Sequence, residues 1–161
     1  MNLFEDHISF HTVKNNNNNS LKAYCLSLDN IVLTSLLDSS IALVVMDASI
    51  KNRVATSIVH IHRQDCPIVK TIHHAINVTS TEAELFAIRC NKIIIVTDSI
   101  HSAKKIFDYS SHSHQVHSAA ISCELREFFS INNTNIIKFW ESPSCCKWFL
   151  HSAVDSETRK Y

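Results

Sequence analysis

The sequence predicts one α/β domain built on a mixed sheet, and three observations carry that expectation. Ile41-Ala-Leu-Val-Val-Met46 and Ile93-Ile-Ile-Val96 are short, uninterrupted apolar runs of the kind that a sheet buries on both faces. After the first run the apolar spacing keeps a strand period through two further segments, and then changes to a helical one. The chain has 161 residues, 45% apolar and 19% charged, which is the size and composition of a single globular domain. The expected order over residues 41–161 is βββαβααβα, a mixed five-stranded sheet with flanking helices.

Residues 1–40 are expected as an amino-terminal segment. The Asn15 to Asn19 run buries nothing and reads as a flexible loop, and a short helix is expected near Leu21 to Leu28. The Ile41 run is the first strand of the domain and ends in Asp47-Ala48-Ser49. Val54 to His62 and Ile68 to Val78 then read as the second and third strands of a meander. The second has apolar residues on both faces, so it belongs to a covered sheet. Thr81 and Glu84 stand as a capping box before Leu85 and Ile88, which starts the first helix of the domain. Ile93 to Val96 is the fourth strand, closed by Asp98-Ser99. Ile100, Ala103, Ile106 and Phe107 form the stripe of the next helix, and Val116, Ala120, Cys123 and Phe128 that of a third. Ile136 to Trp140 is the fifth strand, and a short helix follows from about Ala153.

Composition excludes several functions. Glycine is absent, so no Gly-rich phosphate loop, dinucleotide fingerprint or ordinary nucleophile elbow is present. Turns with a positive φ are expected at Asn52, Asn77, Asn91 and Asn132-Asn133 instead. Fifteen basic residues balance fifteen acidic ones, so any polyanion must be held by a local patch rather than by an overall field. The six cysteines form no Cys-x-x-Cys pair, which fits free thiols in a reducing compartment. With no long apolar run and no signal-like start, the expectation is a soluble intracellular protein, cytoplasmic or nuclear, without a membrane partner.

Four carboxylates fall at special places in the element order. Asp47 closes the first strand, Glu84 opens the first helix, Asp98 closes the fourth strand and Asp155 opens the last helix. Each has a structural alternative: turn residue, capping-box partner, N-cap, or a charge at a helix start with Ser152 as the cap. Together they describe an oxygen-rich site at the carboxyl edge of a sheet, where acids repel one another unless a divalent cation binds. Such a set selects Mg²⁺ or Mn²⁺, and two such ions are the usual device for in-line displacement at phosphate. A zinc site from His60, His62, His73 and His74 is a weaker candidate.

Val45-Met46-Asp47-Ala48-Ser49, Thr79 to Ile88 and Ile95-Val96-Thr97-Asp98-Ser99 resemble the three leading motifs of type 1 ribonuclease H. Phe139-Trp140-Glu141-Ser142-Pro143-Ser144 is similar to the strand and turn that lead to the family's final acid, matched by Asp155. The resemblance is to ribonuclease H domains of retrotransposon polyproteins, of a fungal flavour. It implies an RNase H-like fold over residues 41–161 and cleavage of the RNA strand of RNA–DNA hybrids. It also implies two Mg²⁺ or Mn²⁺ ions held by Asp47, Glu84, Asp98 and Asp155. A reverse transcriptase domain of the same polyprotein is an expected partner. Ser49, Lys51, Ser99 and Lys147 are candidate nucleic-acid contacts, since hybrids are recognised through backbone shape and 2′-hydroxyls.

The sequence departs from the family pattern in three places. Ala48 stands where the family has glycine, and Cys145 aligns with its mobile histidine. His151 is the candidate to take over that role as an auxiliary residue. The interval between Glu84 and Asp98 is short, which leaves a clipped first helix and asks Asn91 to be both helix cap and turn. A loose metal site with impaired turnover is the expectation. A degenerate, non-catalytic relic with weak or no nucleic-acid binding is the alternative.

Overall fold

The computed structural model describes residues 4–14, 17–51, 54–64, 66–74, 90–107, 115–143 and 146–160. The expected helix at Thr81 to Cys90, and Glu84 with it, lies outside the described residues apart from Cys90. The elements in chain order are β1 (Ile8–His11), α1 (Asn18–Leu37), β2 (Ile41–Lys51), β3 (Val54–Arg63), β4 (Cys66–His74) and β5 (Lys92–Thr97). They continue with α2 (Ile100–Ile106), α3 (Gln115–Ile131), β6 (Ile136–Glu141) and α4 (Phe149–Thr158). The five expected strands lie in one mixed sheet, the third described over Cys66–His74 with residues 75–78 of its expected span outside the described residues, so the molecule is α/β. A sixth strand, β1, joins the edge, giving the order β1-β6-β5-β2-β3-β4.

The meander β2-β3-β4 is antiparallel, while β2, β5, β6 and β1 run parallel. Four strands therefore bring their carboxyl ends to one edge. That edge is where an open α/β sheet leaves room for a ligand, because the chain departs there into its crossover connections.

Side chains of alternating strand residues divide into two cores, one on each face of the sheet. Ile8, Ile93, Ile137 and Phe139 pack with Ile100, Ala103 and Phe107 around α2 and with Phe128 and Phe129 of α3. On the other face Leu43, Val45, Ile58, Ile94 and Val96 pack with Leu28 of α1 and with Trp148 and Val154 at α4. Helix α4 lies across β2 and β3. This three-layer packing explains why the β3 segment is apolar on both sides, with Thr56 to Ile61 all buried.

The amino-terminal segment departs from its expectation. Residues Ile8 to His11 pair with Ile137 to Trp140 of β6, and the expected short helix near Leu21 to Leu28 is the twenty-residue α1. Within the Asn run, Asn17 caps α1 by accepting from the Ser20 amide at 2.8 Å, and Asn18 and Asn19 are helical. Tyr24, Leu28, Ile31 and Val32 face the sheet at helical spacing. Tyr24 donates its hydroxyl to the carbonyls of Glu141, at 2.8 Å, and His11, at 3.1 Å. No helix of the described residues is long and apolar enough to cross a membrane.

The expected positive-φ asparagines also require correction. Among the described residues the one positive φ belongs to Lys147, at 44°. Asn91 donates its amide to the Ser40 carbonyl and accepts from the Ile136 amide, linking the amino ends of the parallel strands without a left-handed turn. Asn132 makes an Asx turn, its Oδ1 accepting from the Thr134 amide at 3.0 Å. Asn52 and Asn77 lie outside the described residues. Cys25 and Cys123 carry thiols rather than disulfides.

Trp148 ties α4 to the rest of the molecule. It is 4% exposed, and its indole donates to Asp29 Oδ1 of α1 at 3.0 Å. Trp148→Phe keeps most of the apolar contact and deletes this charge-assisted bond. The expected result is a loss of about 1.5–3 kcal/mol. For a domain of this size that lowers the thermal midpoint by roughly 3–12 °C, since each kcal/mol is worth roughly 2–4 °C. A calorimetric scan that finds no shift would mean that α1 and α4 are not coupled through this bond.

Candidate metal centre

The site begins in the register between β2 and β5. Val45 is paired with Val96 in parallel, so two residues further along each strand Asp47 and Asp98 arrive side by side. Thr97 is 6% exposed, and its Oγ1 accepts from the Ser99 amide at 3.1 Å. This local turn ends β5 and sets Asp98 at the sheet edge. The Ser142 amide donates to the Thr97 carbonyl at 2.8 Å, which prolongs the β5–β6 pairing to the same level.

The third residue comes from α4, which starts earlier than expected. It opens at Phe149 rather than about Ala153, so Ser152 is inside the helix and donates its amide to the Trp148 carbonyl at 2.8 Å. Asp155 is correspondingly in the second turn, not at the helix start. Lys147, just before this helix, takes a left-handed conformation with φ 44°, which costs a non-glycine residue about 1–3 kcal/mol. His151, in the first turn of α4, lies beside Asp47 and Asp98.

His151 Nε2 lies 3.9 Å from Asp47 Oδ1 and 4.0 Å from Asp98 Oδ1. Neither is a hydrogen-bond distance. One ligand atom from each of Asp47, Asp98 and His151 lies within 4.8 Å of the others, a group able to hold a metal ion. The Asp47 side chain is 8% exposed, that of His151 12% and that of Asp98 43%, so the group opens to solvent on the Asp98 side. His151 Nε2 is buried and has no hydrogen-bond partner. The Asp47 carboxyl is pushed above its ordinary value, first by burial and then by the neighbouring charge of Asp98. His151 and the Ala48 amide oppose that rise, and Asp155 adds slightly to it.

Of the four expected acids, Asp47 and Asp98 come together and Glu84 lies outside the described residues. Asp155 shares the α4 face of His151, four residues on. Its carboxylate is engaged by Arg159, with Oδ2 2.9 Å from one terminal guanidinium nitrogen and Oδ1 accepting from Nε at 3.2 Å. Among the candidate nucleic-acid contacts, Ser49 donates to the Thr158 carbonyl at 3.4 Å, tying β2 to the end of α4. Lys51 ends β2, Ser99 is exposed in the turn after Asp98, and Lys147 is exposed just before α4.

Sequence reasoning did not find Glu157. It accepts from the buried His60 Nε2 at 2.8 Å and from Lys70 Nζ at 2.7 Å, joining α4 to β3 and β4. These two bonds hold its carboxyl down at about 2. His60 is thus engaged in a structural bond rather than a zinc site, and the side chains of His73 and His74 lie outside the described residues. No model of a known protein family matches the chain, and no curated protein is significantly similar to it.

Proposed function

We propose that the chain is a divalent-metal-dependent nuclease of the ribonuclease H type, cutting the RNA strand of RNA–DNA hybrids. The observation that carries this reading is the convergence of Asp47 and Asp98, from adjacent parallel strands, with His151 at the carboxyl edge of the sheet. Supporting it is the described element order from β2 onward. The three-stranded meander, then strand, two helices, strand and helix, follow the order expected from the apolar spacing, apart from the first helix, which lies outside the described residues. The buried, unpartnered His151 nitrogen and the raised Asp47 carboxyl are what a cation site looks like before charge compensation.

Two Mg²⁺ or Mn²⁺ ions, when bound, supply an activated water and stabilise the leaving 3′ oxygen. The work of the chain is to place their ligands. Asp47 is fixed by burial in β2, so its carboxylate is the rigid anchor of the site. Asp98 is open to solvent and faces the side from which a phosphate arrives. Asp155 joins the site when its carboxylate turns from Arg159, and Glu84 is the fourth acid of the proposal. Ser49, Lys51, Ser99 and Lys147 flank the edge and would meet the sugar-phosphate backbone of the hybrid. A reverse transcriptase domain remains the proposed partner.

The test is cleavage of an end-labelled RNA–DNA hybrid with Mg²⁺ or Mn²⁺. Cutting of the RNA strand alone is expected, lost with a chelator and reduced by Asp98→Asn on the order of a hundredfold or more. Cutting that survives Asp98→Asn, or that ignores the chelator, removes this assignment.

A further inference from the structure

We infer that His151 is itself a metal ligand, making this a mixed nitrogen and oxygen centre that takes a first-row transition ion such as Mn²⁺ in preference to Mg²⁺. The inference rests on reading the Asp47, Asp98 and His151 group as a cation site, and does not need hybrid cleavage. Three features carry it. The His151 Nε2 is buried without a hydrogen-bond partner, and an unsatisfied buried imidazole nitrogen is costly unless something occupies its lone pair. It stands nearly equidistant from the two carboxylates, at 3.9 and 4.0 Å, too far to bond either. Donors that share one ion at about 2.0–2.2 Å lie roughly 3 Å apart, so the two histidine–carboxylate edges need to contract by about 1 Å. Finally, the acid one helical turn away, Asp155, is turned to Arg159, leaving the imidazole as the α4 group directed at the two acids.

The chemistry of the donor set then decides the ion. Mg²⁺ prefers an all-oxygen octahedral shell and sheds water reluctantly, whereas imidazole suits the first-row transition ions. Two carboxylates and one neutral imidazole also leave coordination positions open for water or a phosphate oxygen. His151→Asp restores an all-oxygen set on the same helix face, so it should shift preference back towards Mg²⁺.

The experiment is Mn²⁺ binding to the full chain by electron paramagnetic resonance, with pulsed detection of nitrogen coupling and competition by Mg²⁺. The expected result is one tightly bound Mn²⁺ with a directly coordinated nitrogen. In His151→Asp the ion should still bind, without the nitrogen signal, and its preference over Mg²⁺ should fall by about tenfold or more. Asp98→Asn, at a residue open to solvent, is the second variant and should weaken Mn²⁺ binding while the ion that still binds keeps its nitrogen coupling. The inference is overturned by Mn²⁺ bound without nitrogen coupling, by a nitrogen signal that persists in His151→Asp, or by no saturable Mn²⁺ site. A nitrogen-coupled site on a protein that never cuts hybrid would support the inference while removing the nuclease reading.

Discussion

Asp47→Asn is expected to make the metal-free protein more stable while abolishing its response to metal. In the metal-free state Asp47 is buried beside Asp98, and both burial and that charge hold its carboxyl above the ordinary value. A group raised in this way contributes stability that is full below its ordinary pKa and lost as the pH climbs through the raised one. As the pH rises, the charge on Asp47 therefore becomes a liability that a cation relieves. The amide of Asn has nearly the same shape and no charge, so the thermal midpoint of the metal-free variant should rise by several degrees. Its stability should also fall less between pH 4 and pH 8 than that of the wild type. With Mn²⁺ at a hundredfold excess over its Kd, wild-type protein gains about 2.7 kcal/mol by linkage, and the variant gains nothing. Differential scanning calorimetry with and without Mn²⁺ reads both effects. A variant that is destabilised without metal, yet still shifts upward with it, would show that Asp47 serves the packing of β2 and is not a ligand.

The parts of this molecule that could be read from the sequence are those whose local pattern and tertiary role agree. Ile93 to Val96 is β-branched and continuous because both faces of β5 are covered, and the same feature makes it visible in one dimension. Asp47 and Asp98, each with an ordinary structural use when taken alone, are recognisable because they recur with two further acids at element ends and within motifs that resemble those of ribonuclease H. Helix α1 is obscured because Leu26, Leu33 and Leu37 are exposed on the face opposite Leu28 and Ile31, so the apolar stripe has no clear edge. Strand β1 is four residues long and is held by its pairing with β6, by the burial of Ile8 and by Phe10 stacking on Phe139, with ring centroids 5.0 Å apart. No window of sequence around it carries that partner. The start of α4 is not legible because the left-handed residue just before it is Lys147, a residue without turn character. His151 is legible as an auxiliary residue only, because a helix expected from about Ala153 leaves it in a loop rather than on the α4 face beside the two acids.

Glu157→Ala should be the most damaging single change on α4 outside its apolar core. The carboxylate is the acceptor for two cations or donors on two different strands. His60, 5% exposed, is 2.8 Å away and Lys70 is 2.7 Å away. Removing it strands the His60 donor in the core at a cost of about 1.5–3 kcal/mol. The Lys70 pair is half exposed and adds about 1 kcal/mol at most. Against a total stability of about 5–15 kcal/mol that is a large fraction. Because α4 carries His151, loosening the helix should weaken Mn²⁺ binding even though Glu157 touches no proposed ligand. Glu157→Gln separates the two contributions, since its amide oxygen still accepts from His60 while the charge opposite Lys70 is gone. The pH dependence gives an independent sign. The folded carboxyl is held down at about 2, below its ordinary value of about 4.5. Its contribution is thus present above about pH 4.5 and drains away as the pH falls towards 2. Urea unfolding midpoints of the wild type should therefore drop across that window, and those of Glu157→Gln should be flatter. Parallel acid profiles for the two proteins, together with an unchanged Mn²⁺ affinity in Glu157→Ala, would mean that α4 is held to the sheet by Val154 and Trp148 alone.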